Sequence, residues 1–148
     1  MDKHVAKIQF IGYKIEKINF KSNNEYLDSD QPLGLEVDFD ADISVISEEN
    51  AAGVSLECIV NKEYLTSNKP FYLRIVILGS FTYETNMDGK ELENLLTINA
   101  LAIIFPYLRA AISTITVNCG GIPPIVLPTF NIAEFIKNKG KTIVESNE

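Results

Sequence analysis

With 148 residues, 46% of them apolar and 22% charged, the chain has the size and make-up of one globular domain with a sizeable core. A net charge of −7 argues against nucleic acid and anionic membrane surfaces as partners. Its 2 cysteines, Cys58 and Cys119, make no disulfide framework and suit a reducing, cytoplasmic setting.

The opening MDKHVAKIQF lacks the apolar run of a secretory signal, and strand character begins within it. Val5 to Lys21 is rich in β-branched and aromatic residues, but its apolar phase shifts twice: from Ile8 and Phe10 to Ile11, Tyr13 and Ile15, then to Ile18 and Phe20. A long strand with a bulge or bend accounts for those shifts. Ser22 to Pro32 is a loop rich in Asn, Asp and Ser. Leu33 to Ile43 then alternates without a break: Leu33, Leu35, Val37, Phe39, Ala41 and Ile43 against Gly34, Glu36, Asp38, Asp40 and Asp42. Period 2 predicts a strand with one apolar and one acidic face. The acids lack the central glycine and closing glutamate of a calcium loop, so they read as a solvated face.

Val54 to Asn61 alternates again through Val54, Leu56, Cys58 and Val60. Phe71 to Glu84 places Phe71, Leu73, Ile75, Ile77, Phe81 and Tyr83 on one face and Val76 and Leu78 on the other, which predicts cover on both sides. Four consecutive strands joined by short polar loops predict a four-stranded antiparallel meander. The period then becomes helical. Asp88 and Glu91 suit a capping box ahead of Leu92, Leu95, Leu96, Asn99 and Ile103. Pro106 predicts a kink or a new helix start, and Leu108, Ala111, Ile112, Ile115 and Cys119 continue the stripe to Gly120 and Gly121. The proline-rich connector Ile122 to Pro128 must be extended. Asn131 and Glu134 cap a short helix carrying Ile132, Phe135 and Ile136, and KTIVESNE reads as a frayed polar tail. The fold class is α+β.

Leu95 to Val117 is long enough to cross a membrane, with Arg109 as its only charge. Pro106 and Arg109 lie well inside it, and a central arginine costs about 2.5–3.5 kcal/mol on insertion. The expectation is no stable membrane insertion but a helix in a soluble assembly, with a partner surface for the side one small domain leaves bare.

No residue set points to catalysis. The lone His4 joins no Cys/His cluster with zinc spacing, and both cysteines sit in apolar stripes where inert core thiols are the common case. No phosphate-binding or dinucleotide loop occurs, since Gly120–Gly121 follows a helix rather than opening one. No metal, cofactor or enzyme activity is expected.

Phe105 to Phe135, FPYLRAAISTITVNCGGIPPIVLPTFNIAEF, resembles the C-terminal core of the SecB export chaperones. The shared features are an FPYAR-like helix start (Phe105, Pro106, Tyr107, Arg109), the glycine at the helix end (Gly120), an apolar proline-containing connector and the short helix with Phe135. The looser match upstream includes Gln31–Pro32 and Ile18–Asn19–Phe20, so the SecB-like domain is expected over residues 1–139, with 140–148 as a polar tail. The resemblance implies a homotetramer, a dimer of dimers, with the long helices sandwiched between the dimers. It also implies an ATP-independent holdase that binds unfolded or preprotein chains in apolar grooves. Carried over by position, the groove is lined by Leu35, Val37, Phe39, Leu56, Ile122, Ile125, Leu127, Phe130 and Phe135. Export-dedicated members dock the SecA motor through acids on the first strand, where this chain has Lys17 and Lys21, although Glu36, Asp38 and Asp40 remain acidic. That departure weakens SecA as a partner and raises a dedicated client such as an antitoxin. The competing class is a non-enzymatic oligomeric carrier of a small apolar ligand, which needs a closed pocket with polar anchors rather than an open groove.

Overall fold

The computed structural model describes residues 7–28, 34–119, 126–127, 131–138 and 144–146. Its frame is a sheet of Ile8–Ser22 (β1), Val37–Ile46 (β2), Ala51–Val60 (β3) and Phe71–Tyr83 (β4), each antiparallel to its neighbours among these four.

The phase shifts in β1 are resolved by bulges between Phe10 and Gly12 and between Ile15 and Lys17. Each extra residue re-phases the strand, so Ile8, Phe10, Tyr13, Ile15, Ile18 and Phe20 all stand opposite the odd-numbered positions of β4. Those odd positions (Phe71, Leu73, Ile75, Ile77 and Phe81) are buried, so the whole apolar set of β1 shares the core side.

One expectation needs correction. The strand order is β1-β4-β3-β2, so only β2, β3 and β4 form a meander, and β1 lies beside β4 rather than beside β2. Successive strands β1 and β2 are thus separated by β4 and β3, as in a Greek key. Residues Val144–Ser146 of the expected tail form a short strand, β5, parallel to Ser44–Ile46 of β2.

A continuous helix, Gly89–Asn118 (α1), lies over β3 and β4. Pro106 neither starts a second helix nor ends this one. Asp88 occupies the N-cap without a side-chain cap bond, so the expected capping box does not form; Glu91 instead takes an ion pair with Lys7. Buried positions recur in steps of 4 from Leu92 through Leu96, Ala100, Ile104, Leu108 and Ile112 to Thr116. On a regular helix each such step drifts by about 40° around the axis. The wider turn of a π-helical stretch, Leu95–Ala100, swings the other way and takes back part of that drift. By length and composition α1 could cross a membrane, but its apolar row is spent on the sheet.

Helix and sheet touch at Gly79, where an added Cβ would lie 2.6 Å from Cγ2 of Ile104 and 3.1 Å from Cε1 of Phe81. Neither neighbour is the loose end of a flexible chain. Gly79→Ala should therefore destabilise by about 1–3 kcal/mol through overpacking, seen as an earlier urea midpoint at fixed protein concentration. An unchanged midpoint would show that α1 has room to spare there.

Candidate functional site

The apolar side of β2 runs outward from the core. Phe39 is 1% exposed, Val37 is half-buried and Leu35, just before the strand, is 37% exposed. Phe39 is held by two edge-on rings: Phe105 of α1 at 5.7 Å between centroids and Phe135 of the short helix Ile132–Asn138 (α2) at 5.3 Å. The expected cap of α2 is present, with the Glu134 amide donating to Oδ1 of Asn131 at 3.1 Å. Ile132, Ala133 and Ile136 anchor α2 in the core and leave Phe135 at its half-buried margin.

Of the residues expected to line a groove, Val37, Phe39, Leu56, Leu127 and Phe135 belong to one apolar cluster. Leu56 lies fully buried in the floor, and Leu127 is buried beside an exposed Val126. Leu35 stands outside the cluster at its open end. Ile122, Ile125 and Phe130 lie outside the described residues. Phe105 was not among the expected lining residues, and its place on the buried row of α1 beside Leu101, Ile104 and Leu108 is the signal that marks it.

The open end is fixed by polar bonds. Asn61 sits in the left-handed region (φ 58°), donates its amide N–H to the Glu36 carbonyl at 2.7 Å and accepts the Glu36 N–H on Oδ1 at 3.2 Å. Its Nδ2 donates to the Phe71 carbonyl at 3.0 Å, so no buried polar atom of the side chain is wasted.

A second apolar surface lies on β1. Tyr13, Ile15 and Ile18 face the same side as the core yet are exposed, Ile18 by 51%. Tyr13 stacks on Tyr107 of α1 at 4.4 Å, which marks the helix margin. Lys17 and Lys21 occupy the opposite side, across from Val76 and Tyr72. A separate cavity of ≈ 480 Å³ lies where β2 and β4 end against the start of α1, lined by Val45, Asn50, Tyr83, Met87, Leu92 and Leu96 among others. Among the described residues no group of three His, Cys, Asp or Glu side chains could hold a metal.

Burial pushes the Cys58 thiol up to about 12 from its ordinary 9.0, with the charges of Asp38 and Glu57 adding to the effect. Between those values only the unfolded chain releases the proton, so this contribution to stability is full below pH 9.0 and is lost as pH rises toward about 12. In a Cys119→Ser variant at neutral pH, Cys58 should resist a thiolate-directed reagent until the protein is unfolded; prompt labelling of the native state would overturn this placement.

Comparisons with known proteins converge on one family. The family described as preprotein translocase subunit SecB matches residues 4–142. An uncharacterized protein of Methanocaldococcus jannaschii is 32% identical over 145 residues, 95% of this chain and 90% of that protein. The protein-export protein SecB of Orientia tsutsugamushi (strain Boryong) is 31% identical over 108 residues, 73% of this chain and 66% of that protein. Among solved structures, a SecB-like chaperone of Mycobacterium tuberculosis in complex with an antitoxin peptide superposes with a TM-score of 0.68. That match covers 84% of this chain and 91% of the other at 15% identity, a likeness of fold.

Proposed function

The chain belongs to the SecB family, and from that premise we propose that it is an ATP-independent holdase, a subunit that shelters unfolded polypeptide and catalyses no reaction. The reading rests on the apolar row of β2, which climbs from the sealed Phe39, packed against the half-buried Phe135, through Val37 to the exposed Leu35. A row that ends in solvent offers continuous apolar contact to an extended chain, whose exposed side chains and unpaired backbone are what mark it as unfolded. Leu56, Leu127 and, from the connector segment, Ile122, Ile125 and Phe130 complete the proposed groove. Clients are preproteins awaiting export or one dedicated client such as an antitoxin. Handover to SecA is the weaker branch, because Lys17 and Lys21 invert the docking charge. The setting proposed is the cytoplasm.

The same reading makes the chain a subunit of a homotetramer. Ile15 and Ile18 of β1, together with Ile98 and Val117 on the outer face of α1, are exposed in the single chain, and apolar surface of this kind calls for a partner. Several grooves on one assembly then hold one client by avidity while each contact stays weak. A small-ligand carrier is less well supported. The ≈ 480 Å³ cavity has a suitable volume, but it contains none of the groove residues.

The groove is tested with Leu35→Ser and Val37→Ser together. Leu35 is exposed and Val37 only half-buried, so melting temperature should fall modestly with the protein still folded, while affinity for an unfolded client should fall tenfold or more, equivalent to about 1.4 kcal/mol or more. Unchanged client affinity in the folded variant would refute the groove, and a dependence of binding on ATP would refute the class.

Assembly is tested separately by light scattering. The wild type should give a tetramer mass, and Ile15→Glu with Ile18→Glu should lower it. A monomeric wild type would remove the assembly reading and leave the groove standing.

A further inference from the structure

The side of the sheet away from α1 is ordered by charge. Reading from β1 to β2, one row across the strands is Lys14, Leu78, Ser55, Asp42; the next is Lys17, Val76, Glu57, Asp40; a third is Asn19, Arg74, Ile59, Asp38. Lys21 stands across from Tyr72 and lies over its ring at 5.8 Å. The middle of the face is neutralised by the Arg74–Glu57 pair, with Nε donating to Oε2 at 2.6 Å. One margin is therefore basic and the other acidic.

The two margins act independently. Three strand spacings separate β1 from β2, about 14 Å, which exceeds the Debye length of about 8 Å at physiological salt. The aspartates of β2 thus do not neutralise the lysines of β1. Lys14, Lys17 and Lys21 are exposed, and among the described residues none of them forms an ion pair. The one acid of the strand, Glu16, falls at the second bulge, outside the paired row. On a chain of net charge −7, this is a local surplus of positive charge beside half-buried Leu78 and Tyr72.

We propose that Lys14, Lys17 and Lys21, with Leu78 and Tyr72 beside them, form a docking surface for an extended acidic polypeptide segment that also carries apolar residues. The spacing sets the partner's pattern. The lysines stand opposite positions 78, 76 and 72 of β4, a span of about 20 Å at about 3.4 Å per residue. An extended segment with carboxylates at matching intervals meets all of them at once, while its apolar side chains cover Leu78 and Tyr72. Nucleic acid fits less well, because its dense charge extends past the narrow strip toward the aspartates and offers nothing to the apolar neighbours. The surface is separate from the proposed groove and from the apolar side of β1, so it stands whether or not the holdase reading does.

The probe is a short peptide alternating glutamate and leucine, titrated against the wild type and against Lys14→Gln, Lys17→Gln, Lys21→Gln combined. The wild type should bind, more weakly as salt rises, and the triple variant should lose tenfold or more in affinity while binding an uncharged apolar client peptide as before. Equal binding of the acidic peptide by both proteins would overturn the proposal. A single-stranded oligonucleotide of matched charge binding as tightly as the peptide would overturn it in favour of a general polyanion surface. A fall in the scattering mass of the triple variant would overturn it in favour of a contact between copies.

Discussion

Which apolar side chains on the helix side of the sheet stay exposed depends on how closely α1 settles on it. Ile104 lies against Gly79, a distance that admits no side chain on β4 at that point. Gly79 pairs with Val54 on one flank and Tyr13 on the other, so the helix crosses the sheet where β3, β4 and β1 meet. Two consequences follow from that position. Phe105, adjacent to Ile104, is brought edge-on to Phe39 and closes the inner end of the β2 row. Tyr107 reaches Tyr13 and stops, so the apolar side of β1 beyond it stays bare. One glycine thus sets both where the buried part of the β2 row ends and how much of the apolar side of β1 stays uncovered.

A holdase without a nucleotide cycle needs contacts strong enough to hold and weak enough to release. Fully burying a leucine or valine side chain is worth about 1.5–3 kcal/mol, so a few partly buried ones give only modest affinity at one groove. The graded exposure from Phe39 to Leu35 suits that regime, since the floor is already satisfied by Phe105 and Phe135 and only the outer positions gain area from a client. In the proposed assembly, tightness would come from the number of grooves that one client chain reaches.

Much of this was legible in the sequence wherever the signal is local. Unbroken alternation marked β2 and its two faces, the double phase shift of β1 announced its bulges, and Asn131 with Glu134 located the start of α2. Strand order was not legible, because pairing β1 with β4 joins residues far apart in sequence and leaves no mark on the period of either strand. The N-cap of α1 misled for a related reason: Glu91 satisfies its charge on Lys7, a residue remote in the chain. Alternation also states which side a residue takes but not what covers that side. Leu56 and Leu35 have the same pattern, yet one is sealed and the other open, and only the packing of α1 and α2 separates them. The Phe105–Phe135 resemblance pointed to the right family, while Ile122, Ile125 and Phe130 within it fall outside the described residues.

An apolar lip that stays open to solvent has to be held by something other than apolar packing, since packing would bury it. In this chain the work falls to Asn61. Its left-handed backbone, which asparagine tolerates better than most residues, turns the chain at the end of β3 and carries the ladder one step past β2 by exchanging bonds with Glu36. The side-chain amide then ties the same point to Phe71 at the start of β4. Asn23 acts alike at the end of β1, donating to the Lys69 carbonyl at 2.9 Å and accepting the Glu25 N–H at 3.0 Å. Three segments are thereby pinned through backbone groups that would otherwise lack partners on leaving the sheet. Leu35 thereby keeps its direction without being packed into the core, and its exposed surface is what the proposed groove would offer to a client.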